Sequence, residues 1–395
     1  MESLNEEERT RKLASIQKIA DIQPIAGADR IEQVTVLGWS CVAKKGEFQI
    51  GDTCVYFEID SILPEREWSE FLRDRKFRIR TIKLKGTLSQ GLAIPVSVCP
   101  EIKNPKEGDD VTAILQVKKY DREEAMAAGD PNKVKRMSSA NYSWPAHLQK
   151  TDEPRIQSSP GALLDIAGKP FYAAVKMDGS SMTVSRESSG RFHVCSRNYG
   201  LKEFISTPKY KLVHITRQPL SKGFFKFFRS FFLSLFHNLF NKAKLVVGGT
   251  VDVPTDSNFW YAARKYDMKR IQPGVTVQGE LCGPGIQKNL LNLKDFEFYV
   301  FNVIKDGKRL GLWDIEKFCA EYGLNMVPTF MVNETGEFEH SQEKWLKLAE
   351  GVYDGTKNQR EGLVIRTLEP EYSPALRGTL SFKAISNKYL LKNED

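Results

Sequence analysis

The stretch Phe171-Tyr172-Ala173-Ala174-Val175-Lys176-Met177-Asp178-Gly179-Ser180-Ser181 decides how this chain is read. Its apolar, aromatic and β-branched first half predicts a strand, and Lys176 stands where that strand ends. A lysine at a strand end, with Gly179 just beyond, can be presented to a nucleotide phosphate with the backbone in close approach. To act as a nucleophile it must lose its proton, which calls for a pKa depressed by neighbouring cations or a metal. Lys-x-Asp-Gly alone is weak evidence, because surface turns often carry it.

Further pieces follow downstream in a fixed order. Ser196-Arg197-Asn198 follows a strand expected over 191–196, and Gln278-Gly279-Glu280-Leu281-Cys282-Gly283 supplies a carboxylate. Phe298-Tyr299-Val300-Phe301-Asn302-Val303 supplies aromatics, Glu361-Gly362-Leu363-Val364-Ile365-Arg366 a second carboxylate, and Leu380-Ser381-Phe382-Lys383-Ala384-Ile385 a last lysine. Singly, Asp178 and Glu361 read as surface carboxylates, Phe301 as core and Arg197 as half of a surface ion pair. Their joint order is the signal. Ile315, Phe318, Cys319 and Tyr322 mark a helix that Gly323 ends, so the second half is a mixed α+β domain. The five histidines, His193 and His214 among them, stand apart in the sequence and read as structural or exposed.

Upstream, 34–37, 54–59, 77–82 and 111–115 read as short strands, with Gly38, Gly46, Gly51 and Gly108 beside them at turns. Strands at that density over residues 11–118 predict a small closed β-barrel. Arg78, Arg80, Lys83 and Lys85 alternate before Gly86 as a phosphate-facing stripe or a solvated strand face. Residues 1–10 are expected to be a flexible N-terminus, 119–150 a polar linker and 151–395 the second domain. The Phe-rich run at 221–249 has three readings: an amphipathic surface helix, a packing insertion, or a translated intron.

A chain of 395 residues suits two domains, and 41% hydrophobic with 27% charged residues is a globular composition. No apolar run reaches the roughly 20 residues of a membrane span, and the acidic start suits neither a secretory nor a transit peptide, so an intracellular protein is expected. The six scattered cysteines predict buried free thiols. A net charge of +8 suits a polyanionic partner.

The spacing of Pro24-Ile25-Ala26-Gly27-Ala28-Asp29-Arg30-Ile31, Leu37-Gly38-Trp39, Glu58-Ile59-Asp60-Ser61 and Ser89-Gln90-Gly91-Leu92 resembles an OB-fold of the tRNA-binding kind. The ordered set from Lys176 to Lys383 resembles the ligase and mRNA-capping superfamily, and within it the RNA ligases of the Naegleria and Deinococcus type, which carry an N-terminal OB domain. The resemblance implies an OB-fold barrel followed by a ligase-type nucleotidyltransferase domain. It implies that Lys176 is adenylylated by ATP and that Asp178, Glu280 and Glu361 hold Mg2+ or Mn2+ directly or through waters. It gives Phe301 the adenine, Lys383 the α-phosphate, Arg155 a place near the nucleotide, and Arg197 the RNA or its 5′-phosphate. Arg78, Arg80 and Lys83 would grip RNA from the barrel. The partner implied is RNA with 3′-OH and 5′-phosphate ends, sealed by a monomer in RNA repair. A front rather than rear OB domain favours an RNA ligase over a DNA ligase or capping enzyme. The reading from another class is a catalytically inactive RNA-binding protein. One departure stands out: many relatives carry Lys-x-Lys in the last motif, whereas Ser381 holds the first position here, with Arg377 or Lys388 as substitute cations. The ATP pocket is expected to be built wholly from residues after Thr151.

Overall fold

The computed structural model describes residues 11–120, 140–213, 244–255 and 257–393. The first part is a wrapped antiparallel sheet in the order β3-β2-β1-β4-β7, with β1 Ala14–Pro24, β2 Ile31–Val36, β3 Trp39–Lys44, β4 Thr53–Phe57 and β7 Leu92–Pro95. A hairpin of β5 (Thr81–Leu84) and β6 (Thr87–Gln90) closes against β3, where Ser89 Oγ accepts from Val42 N and Leu88 O accepts from Ser40 Oγ, both at 3.0 Å. Trp39, Tyr56 and Phe57 are wholly buried inside, so truncating any of them to Ala would cost about 3–5 kcal/mol.

Two expected strands depart from the sequence reading. Residues 111–115 form turns: Leu115 N donates to Val111 O, and the Thr112 hydroxyl accepts from the amides of Leu13 and Ala14. Val111 and Leu115 are buried four residues apart, a helical spacing that an apolar, β-branched run conceals. The run at 77–82 becomes strand only from Thr81, because Lys76 and Phe77 both adopt positive φ (52° and 56°).

The second part holds two sheets. The larger includes β9 (Ser180–Arg186), β10 (Phe192–Cys195), β13 (Val275–Cys282) and β14 (Glu297–Lys305), paired β10-β9-β13-β14. The smaller runs β15-β8-β16-β17, with β8 Phe171–Lys176, β15 Thr329–Asn333, β16 Gly362–Thr367 and β17 Ser381–Ile385. Between β10 and β13, β11 (Phe204–Val213) pairs with β12 (Lys244–Pro254) as a two-stranded ribbon. Backbone of 244–249, expected to belong to the Phe-rich insertion, is therefore strand; residues 221–243 lie outside the described residues. The expected linker is also shorter than 119–150: Lys118–Lys119 pairs with Ser61–Ile62, and Asn141–Ser143 pairs with Tyr199–Leu201. Its residues 121–139 are outside the described residues, as are 1–10.

Helices α1 (Gly161–Ile166) and α4 (Gln342–Ala349) add Ala162, Ile166, Trp345 and Ala349 to the smaller sheet's core. Helices α2 (Asn258–Lys265) and α3 (Leu312–Tyr322) cover the larger, burying Trp260, Ile315, Cys319 and Tyr322 before Gly323 caps α3. The C-terminal α5 (Asn387–Asn393) returns to the barrel, where Leu390 and Ile385 complete its apolar core. Trp39 Nε1 donates to Ser158 Oγ at 3.1 Å, and Gly38 O accepts from Gln342 Nε2 at 2.7 Å, so barrel and sheets share one packed interface. All six cysteines are free and buried, as expected. Among the described residues, no helix is long and apolar enough to cross a membrane.

Candidate active site

Alternation along β8 aims Lys176. Phe171 and Ala173 belong to the core under the smaller sheet, whereas Tyr172 and Ala174 point the other way; Lys176, two further on, follows them. Register extends that face across the sheet, since Ala174 pairs with Val364 and Val364 with Lys383, while Tyr172 pairs with Arg366 and Arg366 with Ser381. Val364, Lys383 and Arg366 therefore face the same side as Lys176. On the larger sheet, Val300 pairs with Gly279 and Asn302 with Gln278, leaving Phe301 as the extra residue of a β-bulge. A bulge re-aims its side chain, and here Phe301 joins Glu280 in lining the opposite wall. A cavity of about 700 Å3 lies between these walls.

Lys176 Nζ donates to Glu361 Oε2 at 2.8 Å. Burial presses down on its pKa, but Glu361, Glu280 and Asp178 outweigh burial and hold the ammonium above the ordinary lysine value. Of the two devices expected from the sequence, neighbouring cations are not what surrounds this amine: its neighbours are anions, which favour the protonated form. Burial also pushes Glu280 up to about 7, with Lys176 opposing and Glu361 and Asp178 adding. Three carboxylates around one ammonium leave an excess of negative charge on oxygen ligands, which suits a hard divalent cation. Tyr353, which sequence reasoning missed, ties the pair together: its hydroxyl donates to Lys176 O at 2.9 Å and accepts from Glu361 N at 3.1 Å. A Cβ at Gly179 would lie 2.5 Å from Leu281 O, which explains the glycine after Asp178.

The same cavity also gathers cations. Lys383 is partly buried, and desolvation drives its pKa down to about 7 against the pull of Asp152, with Arg155 and Lys176 adding to the fall. Asp152 is gripped by Arg197 Nη2 at 2.9 and 2.7 Å and by Lys119 at 2.5 Å. Arg366 donates to Glu153 at 2.8 Å, to Ser381 Oγ at 2.9 Å and to Phe301 O. Ser381, the position where a lysine is common, is therefore a buried acceptor for Arg366, and Arg366 is the cation near it. Neither Arg377 nor Lys388 lines the cavity; Lys388 pairs with Glu350 at 2.7 Å.

The barrel also contributes, contrary to the expectation of a pocket built only after Thr151. Arg11, Asp60, Arg78 and Tyr120 line the same cavity. Asp60 accepts from Arg78 at 2.9 Å and from Arg155 at 3.3 Å, and against burial Arg155, Arg11 and Arg78 hold its pKa below the ordinary aspartate value. Arg78 is buried, its guanidinium 3.6 Å from the centre of the Tyr120 ring, so it leaves the expected stripe. Arg80 is half-buried and does not line the cavity, whereas Lys83 and Lys85 are exposed on the β5–β6 hairpin. Asp60 was visible in the barrel motif Glu58-Ile59-Asp60-Ser61, and Arg366 in the run beginning at Glu361; no local signal marked Tyr353 or Arg11.

Residues 13–96 match an OB-fold domain family, and residues 234–385 match the RNA ligase family. No curated protein sequence matches the chain. Among solved structures, the Naegleria gruberi RNA ligase with PPi is 31% identical, covering 98% of this chain and 100% of its own, with a TM-score of 0.74. A mutant of that ligase with ATP and Mn is 30% identical over 96% of this chain and 98% of its own, at a TM-score of 0.71. Another mutant with AMP and Mn is 30% identical over 98% and 100%, at 0.72.

Proposed function

Since this chain belongs to the RNA ligase family, we propose that it joins RNA 3′-OH and 5′-phosphate ends at the expense of ATP, through AMP carried on Lys176. The observation that carries this reading is Lys176 at a strand end, bonded to Glu361 in a cavity with Asp178, Glu280 and Phe301 on one side and Lys383 and Arg155 on the other. The related ligase structures containing ATP with Mn and AMP with Mn support it.

In the first step the Lys176 amine attacks the α-phosphorus of ATP; a P–N bond forms, a P–O bond breaks and pyrophosphate leaves. The proton on Lys176 must go first, and Glu361 Oε2 at 2.8 Å is within reach to accept it. Asp178, Glu280 and Glu361 would hold a divalent cation, in part through waters, and that ion would supply charge compensation at the phosphates and loosen the carboxylates' hold on the lysine proton. Phe301 offers a ring face to adenine. Lys383, poised near 7 by burial, regains its proton beside a phosphate, and Arg155 adds fixed positive charge. An oxygen of the RNA 5′-phosphate then takes AMP from Lys176, breaking the P–N bond, and the 3′-OH attacks that 5′-phosphate and expels AMP. Arg197 and the exposed lysines of the β5–β6 hairpin hold the RNA. In this reading residues 11–118 form the RNA-gripping barrel and residues from 151 onward carry transfer.

The test is incubation with α-labelled ATP and Mg2+ or Mn2+, read as label on the denatured protein. Lys176→Ala and Lys176→Arg should take up none, because alanine has no nucleophile and guanidinium stays protonated. Both should still seal RNA that already carries 5′-AMP. Undiminished label on either variant overturns the assignment.

A further inference from the structure

Beside the nucleotide cavity, His147 meets Glu187 and His193 of a single hairpin, and the ligand atoms of all three lie within 4.8 Å of one another. Glu187 follows β9 and His193 lies on β10, so one antiparallel hairpin fixes both; Gly190 N donates to Glu187 O and Glu187 N to Arg191 O across its turn. His147 comes from the Pro145–Leu148 turn, where Leu148 N donates to Pro145 O. Glu187 Oε1 lies 2.7 Å from His193 Nε2 and 4.0 Å from His147 Nε2. Ser189 Oγ donates to the other Glu187 oxygen at 2.9 Å.

We propose that His147, Glu187 and His193 form a binding site for a divalent transition ion of the zinc class, separate from the carboxylate site around Lys176. Two imidazoles and one carboxylate are the donors such ions prefer, whereas Mg2+ prefers oxygen alone. Three protein ligands with one position left for water make an open tetrahedral set. Ligand atoms at about 2.0–2.1 Å from zinc stand roughly 3.3 Å apart, so Glu187 and His193 open slightly from 2.7 Å while Glu187 and His147 close from 4.0 Å. His147 is half exposed at the rim and has room to make that closure, whereas His193 is buried.

The outer contacts fit a ligand histidine. His193 Nδ1 lies 2.8 Å from the Tyr142 hydroxyl. With Nε2–H donating to Glu187, Nδ1 accepts from Tyr142; with Nε2 on an ion, the ring proton sits on Nδ1 and donates to the same hydroxyl, which serves either way. Tyr142 is held there by its strand pairing to Gly200, where an added Cβ would lie 2.1 Å from the Tyr142 ring. The site would pin the segment that runs from His147 into Asp152, Glu153 and Arg155, for His147 lines a second cavity of about 470 Å3 that shares Asp152, Glu153, Phe301 and Arg366 with the first.

The experiment uses the full chain in excess Mg2+, which fills oxygen-ligand sites. Zn2+ uptake is measured by competition with a chromophoric chelator, and Co2+ is added separately for its visible spectrum. One Zn2+ per chain is expected, with Co2+ bands of a tetrahedral nitrogen and oxygen site. His147→Ala and Glu187→Gln should each weaken Zn2+ by about 100-fold while remaining folded by circular dichroism, and Tyr142→Phe should weaken it by about tenfold through the loss of the Nδ1 partner. No uptake by the wild-type chain, equal uptake by wild type and the two ligand variants, or a thiolate charge-transfer band in the Co2+ spectrum would each overturn the proposal.

Discussion

Asp60 of the barrel accepts a hydrogen bond from Arg155 at 3.3 Å, and Arg155 bridges to Lys383 on the smaller sheet. Through this contact the barrel forms part of the wall of the nucleotide cavity. Asp60→Asn should therefore lower uptake of label from ATP by at least about tenfold, or about 1.4 kcal/mol of transition-state stabilisation, because Arg155 and Arg78 lose their shared anion. Removal of residues 1–120 should abolish labelling along with sealing. Normal labelling by a folded Asp60→Asn protein would make the barrel wall a bystander.

Tyr353 is a positioning residue: its hydroxyl bonds the backbone of Lys176 and of Glu361, and its ring packs in the buried cluster with Met177 and Cys282. Tyr353→Phe leaves the Lys176 carbonyl and the Glu361 amide without that partner, at a cost of about 1–3 kcal/mol for the buried groups. Expected results are a lower melting temperature and an adenylylation rate reduced about tenfold, with the apparent KM for ATP little changed. A reduced melting temperature with an unaltered rate would assign Tyr353 to the fold alone.

Lys383 gives a signed pH dependence. Its folded pKa is lowered from 10.5 to about 7, chiefly by burial. Between those values the unfolded chain binds the extra proton, so this group makes the folded state more stable as pH rises from about 7 towards 10.5, and the benefit is lost as pH falls through 7. The melting temperature of the wild type, taken relative to Lys383→Met, should rise across that window. ATP with Mg2+ should flatten the rise by restoring the proton beside a phosphate. A wild-type to variant difference that stays constant from pH 7 to 10 would contradict the buried-lysine reading.

The exposed hairpin lysines are expected to act on RNA and not on ATP. Lys83→Glu with Lys85→Glu should leave labelling intact, weaken sealing, and make the fall of sealing with log salt shallower by about one to two units, one for each lost phosphate contact. Arg78→Ala, by contrast, should reduce labelling, because it acts through Asp60 inside the cavity. If the lysine pair lowers labelling as much as sealing, the hairpin is not a separate RNA grip.

The sequence by itself determined the strand that ends at Lys176 and the helix ended by Gly323, and the order of its short motifs picked out Asp178, Glu280, Glu361 and Phe301, which the fold brings to one cavity. These are local signals: period-two alternation, a glycine at a turn and the order of short motifs. It misread 111–115, where two buried residues four apart could serve a strand or a turn, and the stripe at Arg78, whose backbone leaves extended geometry at Lys76 and Phe77. Only the tertiary structure decided the charge state at Lys176, because desolvation and three anions from three elements act on it together. Only packing brought Asp60, Arg11 and Tyr120 to the nucleotide cavity, and only sheet pairing brought His147 to Glu187 and His193. Such contacts join residues tens to hundreds of positions apart, and no pattern within one segment encodes a partner in another.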